Sequence, residues 1–454
     1  MSSILGLTSS KTFDDNGFRS QNNRREIFHA FPTGAAPLTG LLSLMTDEPT
    51  DNPDFGWYEK RFRQIETTSA NAASISPSGS NTVITSPATL VKGTIYRVAV
   101  LDTSLFKVSH AVLLKKATLA ASTTDIQGII TEIVDATHFE FRMTEGVASV
   151  TNTTAGTGNR QIYHIGTANS EGAVSNGGGR LTLPSNPINS TQIFRDSIYF
   201  TSTSLKMPAN FDKTGIYIEK SKDVSLDHMT GIEKAFLFGR KSLQNVPHPI
   251  TGEDVPMRTT GGLRWFLEEY EKVDGGVFAY RQGSAAATAI TDKDKRIIDA
   301  ASSTMTYEFF LSLIERVFRK TNNRAHEKLV LCGNGALGAL NTLLELGIFT
   351  TNKNAASEKI YGMNVVTLET LYGTLHFKTH PLFNEDSSLL YSMLITDIGN
   401  LKYRALNDRD TTLLDNRQQN DEDGRKDEWL TEAGLEVRFP ESHMLINDLQ
   451  TITV

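Results

Sequence analysis

The chain reads as an α+β fold in which an extended N-terminal arm and a β-rich excursion precede a half built from helices and further strands. Three observations predict this. Over residues 83–165, short β-branched and aromatic runs (TIYRVAVLD, SLFKVS, AVLLKKATL, DIQGIITEIVD, HFEFRM) are separated by turns at the spacing of a small barrel or sandwich. Helical periodicity then appears at 222–240, 261–270 and 304–321. Strand-like runs return after residue 328 in close succession. The length of 454 residues, with 39% hydrophobic and 21% charged residues, is enough for a sizeable buried core.

Residues 1–54 form the arm. Pro32, Pro37, Pro49 and Pro53 interrupt any long helix, and isolated apolar residues (Ile27, Phe28, Phe31, Leu41, Leu42) have little to bury against locally. The run Leu38–Met45 suits a short helical patch. Residues 55–68 alternate apolar and charged residues and predict a strand, followed by a turn-rich joint, NAASISPSGSNTV. Beyond the unit at 83–165, QIYHIGTA closes the β region and Gln192–Pro208 predicts a strand pair or one long bent strand, so that 55–210 is mostly β. The NGGGR run at Asn176–Arg180 supplies a flexible joint.

In 222–240, Val224, Met229, Ile232, Ala235, Phe236 and Phe238 recur at helical spacing, with Asp223 as the expected N-terminal cap and Gly239 as the terminator. Gly261–Tyr270 predicts a short helix. Thr304–Thr321 is the clearest one, with Phe309, Phe310, Leu313, Ile314, Val317 and Phe318 on a broad apolar face. KLVLCG (328–333) predicts a strand leading through a glycine turn into a helix. NVVTLET, YGTLHFKTH, LLYSMLITD and NLKYRAL predict four strands, read as antiparallel hairpins and not as βαβ units. Asp415–Glu428 is too polar for a core and reads as a surface loop. A terminal strand is expected from Gly434 to Leu445.

Composition excludes several chemistries. Lys plus Arg is 45 and Asp plus Glu 52, a net charge of −7, which argues against a general nucleic-acid binder. The single cysteine, Cys332, rules out an internal disulfide and a cysteine-based zinc site. No stretch approaches the roughly 20 apolar residues of a membrane-spanning helix, and the first 20 residues do not read as a secretory signal. Gly333, Gly335 and Gly338 meet the G-x-G-x-x-G spacing after a strand, but the second βα unit with its acidic ribose partner is missing, so a tight structural turn is the better reading. His376 and His380 are four apart in an extended segment with no intervening carboxylate. Asp408–Asp415 lacks the spacing and glycine of a calcium loop. There is no G-x-S-x-G elbow. No catalytic, cofactor-binding or metal-binding residue is assigned, and no cofactor is expected.

The order of parts carries a resemblance. Together with IEKAFLFGR (232–240), RTTGGLRWFL (258–267), KLVLCGNG (328–335), YGTLHFKTHPLF (372–383) and DEWLTEAGLEVRFPESHMLINDL (427–449), it resembles the major capsid proteins of tailed bacteriophages. More narrowly it is similar to the major head protein family of the Escherichia phage SU-ten type. The resemblance implies a Hong Kong 97-like capsid fold. It divides the chain into an N-terminal arm (1–54), an extended E-loop region (55–210) carrying the small β-barrel or sandwich at 83–165, and a peripheral domain (211–274) with a spine helix at 222–240. An axial domain (275–405) follows, then a polar loop and return strand to the peripheral domain (406–454).

It further implies a non-enzymatic protein that assembles into pentamers and hexamers of an icosahedral shell around double-stranded DNA. Such a shell is built in the bacterial host cytoplasm, without membrane or sequence-specific DNA binding, and with scaffold, portal and decoration proteins as partners. A net charge of −7 suits a container that repels packaged DNA. Two alternatives stay open on the sequence: a β-rich tail or adhesin-like virion protein, which leaves the helical half unexplained, and a metabolic enzyme, which would need a ligand pocket.

Overall fold

The computed structural model describes residues 38, 48–60, 66–68, 75–82, 84, 88–100, 103–104, 106–115, 125–150, 161–173, 184–207, 216–272, 295–300, 307–319, 326–345, 358–360 and 363–449. The chain divides into two units. One holds residues 56–188 and 268–295, and the other holds 1–55, 189–267 and 296–454.

The chain enters through β1 (Asp54–Gly56), and the predicted 55–68 strand is interrupted. Glu59 makes an isolated bridge to Ser185, and β2 (Glu66–Thr68) follows as a separate strand, with 61–65 outside the described residues. The β-rich unit continues with β3 (Ile75–Pro77), β4 (Ala88–Leu90), β5 (Ile95–Ala99), β6 (His110–Leu114), β7 (Ile126–Ile133), β8 (His138–Met143), β9 (Val147–Val150) and β10 (Gln161–Thr167). Seven of these form one antiparallel sheet in the order β2-β10-β6-β7-β8-β5-β3, and β4 pairs with β9. Alternation places Val98, Val112, Leu114, Ile126, Ile130, Phe139, Phe141 and Ile162 in a single core, joined by Leu90 of β4 and Val147 of β9. Gly128 is required there, because a Cβ at this position would lie 2.1 Å from the Phe141 ring. The Asn176–Arg180 joint lies outside the described residues.

β11 (Ile188–Ser190) pairs with β1, and β12 (Gln192–Thr201) then joins the second unit. The sequence groups this segment with the β-rich excursion. Its antiparallel partner over ten residue pairs is β23 (Gly424–Val437), more than 220 residues later, so the local pattern could not place it. After the short helix α1 (Ser202–Lys206) comes the long helix α2 (Ile216–Phe238), six residues longer at its start than predicted. Asp223 therefore lies inside the helix and is not its cap. Gly239 does end it, donating its N–H to Ala235 O. A two-stranded hairpin follows, β13 (Ser242–Pro247) with β14 (Asp254–Thr259), and then α3 (Leu263–Glu271).

The remaining strands make a mixed sheet. It comprises β15 (Ile297–Asp299), β16 (Glu327–Cys332), β17 (Glu358–Ile360), β18 (Met363–Glu369), β19 (Thr374–Thr379), β20 (Met393–Thr396) and β24 (Met444–Asn447), ordered β15-β24-β20-β16-β19-β18-β17. The antiparallel expectation is corrected at two pairings, since β16 runs parallel to β19 and β15 parallel to β24. The helix after β16 makes this possible by carrying the chain back before the next strands begin. That helix is α5 (Asn334–Glu345), and with α4 (Tyr307–Arg319) it packs on the sheet; Phe310, Leu313, Ile314 and Val317 meet Val330, Phe377, Ile395 and Met444 in one core.

β21 (Leu401–Ala405) and β22 (Thr412–Leu414) pair with β23. Two further expectations change here. The polar run Asp415–Glu428 is not loop throughout, because Gly424–Glu428 is paired strand, and the single terminal strand Gly434–Leu445 is the end of β23 plus β24, which lie in different sheets. A kink at Phe439, with φ 48°, and a short turn of helix at Pro440–Ser442 redirect the chain between them.

Candidate assembly surface

Helix α2 is the longest helix among the described residues of the second unit. One side lies on the inner face of the β12-β23-β21 sheet, where the Phe236 and Tyr403 rings meet edge to face at 6.0 Å. His228 is buried against the same face. Its Nδ1 lies 2.5 Å from Asp196 Oδ2 and its Nε2 lies 2.8 Å from the Thr431 hydroxyl, so the imidazole ties helix, β12 and β23 together. A carboxylate only accepts, which places a proton on Nδ1.

One turn further on, Glu233 is fully buried and accepts from His380 Nε2 (2.8 Å) and from the backbone N–H of Leu38 (2.9 Å), both fully buried as well. His380 Nδ1 accepts from Leu382 N–H at the start of α6 (Pro381–Glu385). Three segments far apart in sequence thus share one buried carboxylate. Of the expected helical patch Leu38–Met45, only Leu38 is among the described residues, and it is helical.

The outer face of β23 carries a second polar framework. The two-residue period puts Glu428, Glu432 and Glu436 on one side, all nearly inaccessible. Arg195 pairs with Glu428, Arg409 with Glu432 (2.7 Å), and Arg404 and Arg438 with Glu436 (2.5 Å each). Arg404 also holds Glu48, bonding its carbonyl and its carboxylate at 3.1 Å, while Thr50 bridges in parallel to Leu406. Glu48 and Thr50 are therefore fastened to Arg404 and Leu406. On the other side of β23, burial would push the Asp427 carboxyl up. Donors from Tyr217, Asn416 N–H and Arg425 outweigh this and hold it below the usual range. Burial and the same carboxylate push the Tyr217 phenol up to about 12.

A buried asparagine marks where the chain re-enters this unit. Asn189 Nδ2 faces Thr260 Oγ1, Gly261 O and Leu435 O, and its Oδ1 accepts from Ser190 N–H and Gly261 N–H. Sequence reading missed this residue, whose side-chain amide partners lie 71 to 246 residues away.

The residues of the motifs considered for chemistry make packing and hydrogen-bond contacts. Gly333 and Gly335 sit against Leu390 and Tyr391: a Cβ on Gly333 would lie 2.2 Å from Leu390 O, and one on Gly335 would lie 2.8 Å from the Tyr391 ring. Close packing accounts for Gly333 and Gly335, whereas a Cβ on Gly338 would meet nothing within 4 Å. His376 is buried in β19 and His380 caps α6, so the two serve different contacts. Cys332 is buried, and burial pushes its thiol up to about 12, which makes it a poor nucleophile. Asp410, in the Asp408–Asp415 run, accepts from the Tyr403 hydroxyl. Among the described residues no three His, Cys, Asp or Glu side chains gather as a metal site, and no helix is long and apolar enough to cross a membrane.

Among the groups this unit exposes are several large apolar ones. Ile218, Leu226 and Met229 on α2 are 44%, 45% and 44% exposed, and Ile250 at the tip of the β13–β14 hairpin is 88% exposed. Leu243 and Met257 on that hairpin and Leu371 at the β18–β19 turn are open too. Large open apolar groups on a folded unit mark contact surfaces. Cores closed by packing, carboxylates locked by arginines and apolar groups left open are the attributes of a structural, assembling protein.

The family described as SU10 major capsid protein matches residues 8–450, and the chain belongs to that family. It is accordingly a structural capsid protein of phage virions, and not an enzyme. No curated protein matches it. Among solved structures, the chain is similar to the capsid of a native GTA particle (10% identity, TM-score 0.43, covering 98% of this chain and 100% of that one) and to the capsid of Myoviridae phage XM1 (9%, 0.41, 98% and 100%). It is also similar to a chain of Mycobacterium phage Patience (12%, 0.36, 63% and 76%).

Proposed function

We propose that the protein is the shell-forming subunit of a Hong Kong 97-like icosahedral capsid, built as pentamers and hexamers around double-stranded DNA. The observation that carries this reading is the family match across 8–450. In this reading 1–54 is the arm, 55–210 the E-loop region with the small β unit, 211–274 the peripheral domain with α2 as spine, 275–405 the axial domain, and 406–454 the polar loop and return strand. Scaffold, portal and decoration proteins are its partners during and after assembly. The open apolar groups on α2 and on the β13–β14 hairpin support it, because a subunit that ends among many copies can leave such groups for its neighbours to cover.

Negative-stain microscopy of the expressed full chain tests the proposal. Rings or closed shells are expected, and a protein that stays monomeric under every assembly condition overturns it. Deleting residues 1–54 is expected to abolish ordered shells while leaving a soluble axial domain; normal closed shells from the truncated chain would remove the arm from the assembly mechanism.

A further inference from the structure

We propose that the β13–β14 hairpin of one copy of the chain lies along the open stripe of α2 on a second copy, a contact that rests on the capsid reading and gives it a specific pair of surfaces. One surface is on α2. At about 100° per residue, Ile218, Lys222, Leu226 and Met229 project within about 80° of one another. All four are exposed. They run about 17 Å along a helix that rises about 1.5 Å per residue. The other surface is the hairpin. Val246 is paired directly with Val255, and the two-residue period puts Met257 on the same face. Val255 and Met257 are exposed there, and Ile250 stands open at the tip. Leu243, Asn245 and Pro256 are exposed on the opposite face, so neither face is covered. A two-stranded hairpin is marginal in water without something to pack against.

The hairpin's own chain does not supply that cover. Hairpin and stripe belong to the same unit, yet both stay open. In a capsid protein the surrounding copies are the partner at hand. The two surfaces differ, so the contact runs head to tail, the kind that repeats from copy to copy and closes into rings. Charge favours the match. Lys222, within the stripe, and Glu253, two residues before Val255, are both exposed and make no ion pair among the described residues. Length favours it too. With Glu253 opposite Lys222, Val255 falls beside Leu226 and Met257 beside Met229. The hairpin steps are about 7 Å each at about 3.4 Å per residue. The helix steps are about 6 and 4.5 Å at about 1.5 Å per residue, so the two rows stay within about 3 Å of register. Ile250 then extends toward Ile218.

Disulfide trapping in the full chain after assembly tests the contact. Met229→Cys combined with Met257→Cys changes two exposed side chains, which leaves the fold intact, and buried Cys332 stays in place. Mild oxidation is expected to link separate chains into products of two, three and more chain masses. Their yield should exceed that of either single substitution by about tenfold. Rings or shells whose yield only equals the single substitutions overturn this contact and leave the capsid reading standing. A link closed within one chain, or a protein of another mass coupled at either cysteine, also overturns it. A chain that stays monomeric under every assembly condition overturns the capsid reading and this contact together. As a second measurement, Glu253→Lys added to the cysteine pair should lower the linked yield about threefold or more, and Lys222→Glu in the same chain should restore it. A double exchange that leaves the yield as low as Glu253→Lys alone overturns the proposal.

Discussion

The two units bury charge in opposite ways. In the β-rich unit the core is apolar, and one of its buried carboxylates, Glu140, is held by neighbours within the same sheet: Arg97 opposite on β5, and Ser78 and Gly79 just beyond β3. Burial would push that carboxyl up, and these donors hold it below the usual range instead. The second unit buries Glu233, Asp427, Glu428, Glu432 and Glu436, and satisfies them from segments up to 241 residues away, as Thr191 donates to Glu432 and Arg195 to Glu428. The first unit can complete its polar contacts as soon as its own strands pair. The second is complete only when Leu38, Glu48, α2 and the C-terminal strands are all in place.

The strongest way to break this contrast is at the shared carboxylate. Glu233→Ala leaves His380 and the Leu38 N–H buried without their acceptor. It should cost about 2–6 kcal/mol, about 1–3 kcal/mol for each buried donor left unsatisfied. Hydrogen exchange should show the loss in strands of the second unit while β7 and β8 keep their protection. Arg404→Ala should cost about 1.5–3 kcal/mol, the range for hydrogen bonds to charged groups; denaturant unfolding measures it, and a Glu436→Gln background should shrink the effect. Inside the β-rich unit the vulnerable point is packing. Gly128→Ala drives a methyl into the Phe141 ring and should cost about 1–3 kcal/mol, read as lost protection of β7 and β8 alone.

Acid should separate the units by mechanism. Burial, with His164 and Lys107 beside it, pulls His110 down to about 4, and burial also lowers His164, whose ring lies 4.0 Å away. These bases take up protons more readily in the unfolded chain, so the stability they support is complete above pH 6.5 and falls as pH drops toward about 4. Exchange protection of β6 and β10 should fall over that window, and His164→Gln should flatten the decline. The smallest effect belongs to Arg319→Ala on α4, whose exposed i,i+4 pair with Glu315 contributes about 0.5 kcal/mol or less. A larger shift in the unfolding midpoint would mean that this helix end is covered.

Local periodicity made much of this architecture legible. The core strands of the β-rich unit follow the alternating runs of 83–165, and the apolar face expected for 304–321 is the one α4 buries. Gly239 ends α2 where the sequence places a terminator. The failures share one cause. Asp223 has the chemistry of a cap, yet α2 extends past it because Tyr217 finds its contacts on β23 and Phe200. Gly424–Glu428 has the composition of a loop, yet it is strand because Phe200 and Thr201 pair with it and arginines neutralise its carboxylates.

The sequence by itself determined the alternation of strands and helices, the faces they bury, the absence of disulfide chemistry and, through resemblance, the capsid family. Those signals repeat every two or 3.6 residues, so a short window contains them whole. The tertiary structure alone decided the mixed pairing of β16 with β19, the transfer of β12 to its partner β23, the carboxylate shared by Leu38, α2 and His380, and the apolar stripe left open on that helix. Each depends on a partner tens to hundreds of residues away, and a buried charge or an exposed leucine acquires its meaning only from what the completed fold places beside it.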